Sequence, residues 1–244
     1  MRYSSCWGVT LWKCVVFVCT GLLVIAGAAA AGVSVHPVMI DDPAAVVGRQ
    51  YAIHVRNGLE HQLPVELALG WGTAKDGGQL QIDWSPTAAK AAAAVISLDQ
   101  EELLLTAHGE GRVQIRLDAL PMGQAGYPVL AVCIRQRGVS ARLAVPILVQ
   151  EPERQADLRL EDMVWQEGLL MLSVTNHGDG FDQFRGQMLF DDEHGGFLAA
   201  HSAEGYVFPG QTRHWILDAP AQALSLSVET TGGVLGHMDR PHGN

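Results

Sequence analysis

Asp191, Asp192, Glu193 and His194 form the densest run of metal-type ligands in the sequence, and hard divalent cations favour clustered carboxylates of this kind. The run leads directly into Gly195-Gly196 between two alternating segments, so an acidic hairpin loop accounts for it without a metal. The other histidines do not converge: His36, His54, His61 and His108 fall at outward strand positions or in loops. Trp71, Trp84, Trp165 and Trp215 raise the idea of a carbohydrate platform, yet their wide spacing suits core anchors and rim residues better. Trp215 alternates with Leu217 and should face inward. No G-x-S-x-G, H-E-x-x-H, P-loop or G-x-G-x-x-G occurs, and no N-x-S/T acceptor. The chain therefore reads as a binding protein rather than an enzyme, with no cofactor.

The segment that organises the rest is Val139–Gln150. Val139, Ala141, Leu143, Val145, Ile147 and Val149 share one face, and Ser140, Arg142, Ala144, Pro146, Leu148 and Gln150 share the other. Strict period 2 over a dozen residues specifies a strand, because a helix would scatter these six residues around its axis. Pro146 cannot donate to a ladder, which makes this an edge strand or one with a bulge. Two readings of its apolar face follow. It packs in the core of its own sandwich, or it is offered to another chain, in which case Leu143, Val145 and Ile147 are partly exposed in the free protein.

Around it the chain is a series of short alternating segments. Val33–Ile40 is extended and marked as an edge by Pro37; Tyr51–Val55 is closed by the Asn57-Gly58 turn; Leu63–Leu69 and Leu80–Trp84 are further strands. Ser85-Pro86 ahead of Ala88–Ala94 fits either a short capped helix or an alanine-rich loop. Val95–Leu98, Leu103–Leu105 and Arg112–Leu117 follow, and Val129–Ile134, apolar on both faces, reads as a central strand. After a polar linker the strands are Leu158–Leu160, Leu169–Thr175, Gly186–Phe190, Gly205–Phe208, Arg213–Leu217 and Leu224–Val228. The fold class is all-β, with two immunoglobulin-like β-sandwich domains: residues 32–150, a linker at 151–155, a smaller sandwich at 156–231 and a loose tail at 232–244.

Residues 1–31 precede these domains and read as a targeting segment. Arg2 and Lys13 lead into an apolar run that ends in Ala28–Ala31, the layout of a secretory signal peptide cleaved near Gly32. The run is also long enough that a retained N-terminal membrane anchor is the competing reading. Loss of Arg2 and Lys13 takes the formal charge from −10 to −12. An acidic chain with scattered Lys and Arg is a poor match for nucleic acid or for an anionic membrane. Cys6, Cys14 and Cys19 lie in the leader, so Cys133 alone remains in the exported chain, where it cannot form an intramolecular disulfide and reads as a small buried hydrophobe.

The order of short motifs resembles the two-domain PapD-like periplasmic chaperones of fibre assembly and the exported sandwich proteins related to them. The first half carries V-x-P at Val35–Pro37, V-R-N at Val55–Asn57, Leu63-Pro64-Val65, and P-x-G…Y at Pro121, Gly123 and Tyr127. The second half carries V-T-N-x-G at Val174–Gly178, G-x-x-L-F-D at Gly186–Asp191 and F-P-G-x-T-R at Phe208–Arg213. The resemblance implies that the last strand of the first domain, here Val139–Gln150, completes an unfinished pilus subunit by strand addition. It also implies a basic pair in the interdomain cleft that holds the subunit's C-terminal carboxylate. The first strand has no Arg or Lys, and the last offers Arg142 only, on the face opposite the apolar row. The expected partner is then a pilus or fibre subunit, with an usher as a further candidate, and the expected location is the periplasm. The alternative is a structural or adhesive cell-envelope module without a chaperone role.

Overall fold

The computed structural model describes residues 32–74, 80–121, 126–136, 139–166, 168–230 and 233–240. Residues 1–31, read above as a targeting segment, lie outside them. The first sandwich consists of β1 (Val33–His36), β2 (Ile40–Asp42), β3 (Gln50–Asn57), β4 (Leu63–Ala74), β5 (Leu80–Asp83), α1 (Pro86–Ala93), β6 (Ile96–Leu98), β7 (Glu102–Leu105), β8 (Glu110–Leu117), β9 (Tyr127–Gln136) and β10 (Val139–Val149). One sheet runs β1-β3-β8-β6. The other runs β2-β10-β9-β4, with β5 and β7 sharing the far edge of β4. The alternation seen in the sequence sorts side chains as expected: Val113, Ile115 and Leu117 of β8 are fully buried between the sheets, while Arg112 and Arg116 are exposed.

The N-terminal segment, expected as one extended edge, is instead two short strands in two sheets. β1 pairs antiparallel with β3; then, past the cis His36–Pro37 peptide, β2 pairs parallel with β10. Crossing from one sheet to the other closes one side of the sandwich over Val33, Val35 and Ile40, all buried in the common core. The Ser85-Pro86 segment resolves as a helix. Ser85 Oγ accepts from Ala88 N at 3.2 Å, and Pro86 occupies the first turn, where a missing N–H costs nothing. α1 lies against β4 and β9, which is one reason β9 buries side chains on both faces.

The second sandwich stacks β11 (Leu158–Gln166), β12 (Leu169–Asn176) and β15 (Thr212–Asp218) against β14 (Phe197–Val207), β13 (Asp182–Asp191), β16 (Ser225–Thr230) and β17 (Gly233–Asp239). Its core gathers Leu170, Leu172, Phe184, Met188, Phe190 and Leu226. Trp165 packs edge-on to Phe190 at 5.7 Å, and Trp215 lies inward against Phe184 at 5.0 Å.

Two readings are corrected here. The segment 232–244, expected as a loose tail, contains β17, which pairs antiparallel with β16 from Gly233 to Asp239. Val234 and Leu235 are exposed and Met238 packs against the core, so the strand is held mainly by its ladder, and no alternation announces it. A bond shared by Ser227 Oγ and His237 Nδ1 at 3.1 Å, and Arg240 N to Leu224 O at 2.7 Å, fasten it. Cys133, expected to be buried, is half-exposed on the outer face of β9, opposite Arg142 of β10 and Glu66 of β4.

Both sandwiches use the same device at the end of an inner strand. Asn57 is fully buried: its Nδ2 donates to His61 O and Thr106 O, both at 2.8 Å, and its Oδ1 accepts from Leu59 N. Asn176, also fully buried, donates to Gly180 O and Val207 O and accepts from Asp157 N and Gly178 N. The V-R-N and V-T-N-x-G motifs thus mark a buried amide that satisfies turn backbone on two sides.

Candidate functional site

The candidate site is the edge of β10 and the junction it runs into. β10 pairs with β9 from Val139 to Pro146, and on its other side β2 covers Ile147–Val149. From Val139 to Pro146 that outer side has no strand partner among the described residues. Pro146 is the last position before β2 begins. The edge character expected from the sequence therefore holds for about two-thirds of the strand, and β2 closes its base.

The apolar row of β10 is not presented outward. Leu143 is 7% exposed, Val145 1%, Ile147 0% and Val149 2%, all within the core of the first sandwich. Of the two readings of this face left open by the sequence, the structure shows the one in which Leu143, Val145 and Ile147 pack in their own sandwich. The sandwich has room for them because β1 and β2, on one chain segment, close its side. Ala141, nearer the tip, is half-buried; Val139 forms the first ladder pair, opposite Gln136.

Arg142 does not stand in a cleft either. Its guanidinium lies 4.5 Å from the ring centre of Trp84. A Cβ on Gly70 of β4 would stand 2.4 Å from that indole, so the ring lies over β4 and Arg142 reaches back across β9, away from the free edge. The arginine found at the junction is Arg154, from the segment read as a linker. It lines a cavity of about 50 Å³ with Tyr127, Gln150, Glu151, Phe181 and Phe208. Its Nε meets Glu151 at 3.3 Å and its Nη1 donates to Asp179 O.

The base of β10 joins the two sandwiches through a third apolar cluster: Tyr127, Val129 and Leu148 from the first, Phe208 from the second, with Phe181 and Tyr206 at its margin. Tyr127 and Phe208 stack at 5.5 Å with 13° between planes, and Phe181 sits 5.7 Å from Phe208. Burial pushes the Tyr127 hydroxyl up to about 12. Polar ties border the cluster: Phe181 N donates to Gln150 Oε1 at 2.7 Å, Gln211 Nε2 to Ala74 O, and Tyr206 OH to Asp41. Burial and the Asp41 carboxylate both hold the Tyr206 hydroxyl protonated, well above its ordinary range. β2 thereby serves both sandwiches. Asp41 binds Tyr206 of the second, while Asp42 accepts from Arg49 and from Tyr51 OH of the first. Burial works against the Asp42 charge, but those bonds and one from Ala44 N outweigh it, so its carboxyl stays below the ordinary range.

Sequence reasoning missed Asp41, Gln150, Phe181, Tyr206 and Gln211 as junction residues. Tyr127 and Phe208 entered only as parts of the P-x-G…Y and F-P-G-x-T-R motifs, with no junction role. Asp191 ends β13, and Asp192–Gly196 forms the hairpin turn to β14. Asp192 Oδ1 accepts from His194 N and Gly196 N at 2.8 and 2.7 Å, and Gly195 takes a φ of +73°. Those two backbone donors hold the Asp192 carboxyl below its ordinary range. Among the described residues no group of three or more His, Cys, Asp or Glu is placed to hold a metal.

No protein-family model and no curated protein matches the sequence. Solved structures do. A class 5 fimbriae chaperone, CfaA, is similar over 85% of this chain and 98% of its own, at 8% identity and a TM-score of 0.55. A chain of a chaperone–tip adhesin complex of CFA/I fimbriae biogenesis matches over 86% and 98%, at 8% identity and a TM-score of 0.53. This is the fold of the PapD-like fimbrial chaperones. In that fold β10 is the last strand of the first domain, and the Tyr127–Phe208 stack sits where the two sandwiches meet.

The junction makes a direct prediction. Phe208 is 9% exposed, and Phe208→Ala should cost about 3 kcal/mol, the low end for a buried ring. Calorimetry should then resolve two transitions in place of one, because the stack is the main apolar link between the sandwiches. A single transition at the wild-type midpoint would show that the cluster does not couple them.

Proposed function

We propose that this protein is a periplasmic chaperone-like factor of surface-fibre assembly that engages a pilus or fibre subunit along the free edge of β10. The unpaired edge at Val139–Pro146 carries the reading, and the chaperone fold supports it. An extended segment added there finds a row of unsatisfied N–H and C=O groups, the usual basis of strand addition. Because Leu143, Val145 and Ile147 already fill their own core, the ladder supplies most of the affinity. Side-chain contacts from β10 are confined to the tip, around Ala141, where the sandwich is less closed. An usher is a further candidate contact, and the leader accounts for export. No reacting group is required, so the role is binding and not catalysis.

The test is co-expression with the fibre subunits of the same genome and recovery of the pair. Ala141→Lys places an inward-pointing charge on the edge strand, a device that blocks edge pairing. Since Ala141 is half-buried near the tip, the melting temperature should move by only about 4 °C, roughly 1 kcal/mol for a domain of this size. Recovery of the subunit should fall at least about tenfold, or about 1.4 kcal/mol. Undiminished recovery with Ala141→Lys would overturn the edge as the binding site.

A second reading has its own support. The burial of Leu143, Val145, Ile147 and Val149 is what a self-sufficient structural or adhesive envelope module would show. Such a module would retain no subunit in the same experiment, even as wild type.

A further inference from the structure

The sheet β1-β3-β8-β6 lies on the side of the first sandwich opposite β10, and its outward face has a charge unlike the rest of this acidic chain. Its outward positions carry Arg56, Arg112, Arg116, His36 and His54 against a single carboxylate, Glu110. The sequence does not show this as a patch, because the residues come from three strands separated by long intervals. Strand register brings them into rows. His36, His54 and Arg112 face one another across β1, β3 and β8, and Arg56 faces Glu110 in the next row. His54 Nδ1 meets Glu110 Oε1 at 2.6 Å. Arg116 pairs with Asp118, at the margin, and Asp99 accepts from Gln114 N. The guanidinium groups of Arg56 and Arg112 make no ion pair or hydrogen bond with the described residues, and both side chains are exposed.

Arg56 and Arg112 stand on a diagonal of the antiparallel pair, a spacing of roughly 7–8 Å between backbone positions. An extended chain presents every second side chain on one face about 6.7 Å apart. Two carboxylates at alternate positions of an extended segment therefore match the two guanidinium groups, each able to take a carboxylate in bidentate fashion. A membrane fits less well. Each basic side chain contributes only about 1 kcal/mol against anionic lipid, and Ala52 is the one aliphatic residue on this face, so nothing inserts.

We propose that the outer face of the β1-β3-β8-β6 sheet, centred on Arg56 and Arg112, is a docking surface for an extended acidic protein segment with carboxylates at alternate positions. The surface is separate from the β10 edge, and both can be occupied in one molecule.

The probe is a labelled decapeptide of alternating glutamate and serine, titrated with the exported chain at low salt and followed by fluorescence anisotropy. A peptide of the same composition, with its glutamates in one block, tests the spacing. The alternating peptide should bind more tightly. Arg56→Glu combined with Arg112→Glu should weaken it at least about tenfold, as should raising the salt to about 1 M, where the Debye length is about 3 Å. Reversal of Arg159 and Arg185 in the second sandwich, at equal change in net charge, should leave binding as in wild type. The milder pair Arg56→Gln and Arg112→Gln should also weaken binding, and it guards against a folding defect in the reversed variant. Equal binding by wild type and both Arg56/Arg112 variants would overturn the site, as would sedimentation with phosphatidylglycerol vesicles and no peptide binding. Equal affinity for the two peptides would overturn the alternate spacing. None of these outcomes bears on subunit recovery through β10.

Discussion

Val145→Glu should unfold the first sandwich. Val145 is 1% exposed in a core shared with Val35, Val55, Leu130 and Val132, and no cation stands in that cluster. A carboxylate placed there loses its hydration without a partner, and the cost is about 4–5 kcal/mol. For a domain of this size that corresponds to a fall in melting temperature on the order of 20 °C. Circular dichroism on the chain from Gly32 onward measures it. A near-unchanged midpoint would mean that this face of β10 has access to water, and would restore the view that its apolar side chains are offered to a partner. Set beside Ala141→Lys, the experiment separates two properties of one strand: an interior face that holds the domain together, and an outer edge that remains open.

Asn176→Ala should be nearly as damaging, although it removes only a small polar group. The amide makes four bonds at zero exposure, to Gly180 O, Val207 O, Asp157 N and Gly178 N. Truncation removes the amide's bonds to two carbonyls at buried positions and two N–H groups at partly buried ones. Each buried orphan costs about 1–3 kcal/mol, and water entering the space vacated by the amide recovers part of it, so a net loss of about 4 kcal/mol is expected. Urea denaturation of the second sandwich gives the value. A loss under about 1 kcal/mol would show that the turns at Asn176–Gly180 and Phe208–Gln211 satisfy their backbone in another way. Asn57→Ala, with three bonds, should cost somewhat less.

The β10 edge and the junction differ in how they arise. The edge depends on where other strands end. β2 is only three residues long and covers only Ile147–Val149. A longer β2 would seal the strand, and a shorter one would loosen the contacts of Asp41 and Asp42 with the two sandwiches. The junction depends on aromatic side chains from turns and strand ends that have no place in either core.

Much of this was legible along the chain. Period-2 alternation in 51–55, 112–117, 139–150 and 169–175 specifies strands wherever it occurs, because one face of a sandwich strand must be apolar. The Asn57-Gly58 turn and the acidic hairpin at Asp191–Gly196 were equally readable, since local backbone chemistry dictates them, whereas Ser85-Pro86 left a capped helix and an alanine-rich loop open until α1 packed against β4 and β9. Other features had no local cause. Alternation states that a face is buried but not against what, so only the packed sandwich shows that Leu143, Val145 and Ile147 belong to their own core. β17 directly follows β16 and pairs with it, but it brings little more than Met238 to the core, so no alternation along 233–239 marked it. Arg142 looked available for a cleft until the ring of Trp84, lying over Gly70, captured it. The Arg56–Arg112 diagonal is set by the register between β3 and β8, more than fifty residues apart in sequence. The sequence by itself determined the strands, their inward faces and their turns, because these follow from each residue's immediate neighbours. The tertiary structure alone decided which edge stays open, which surfaces meet and which charges converge, because those depend on contacts between segments that the chain keeps far apart.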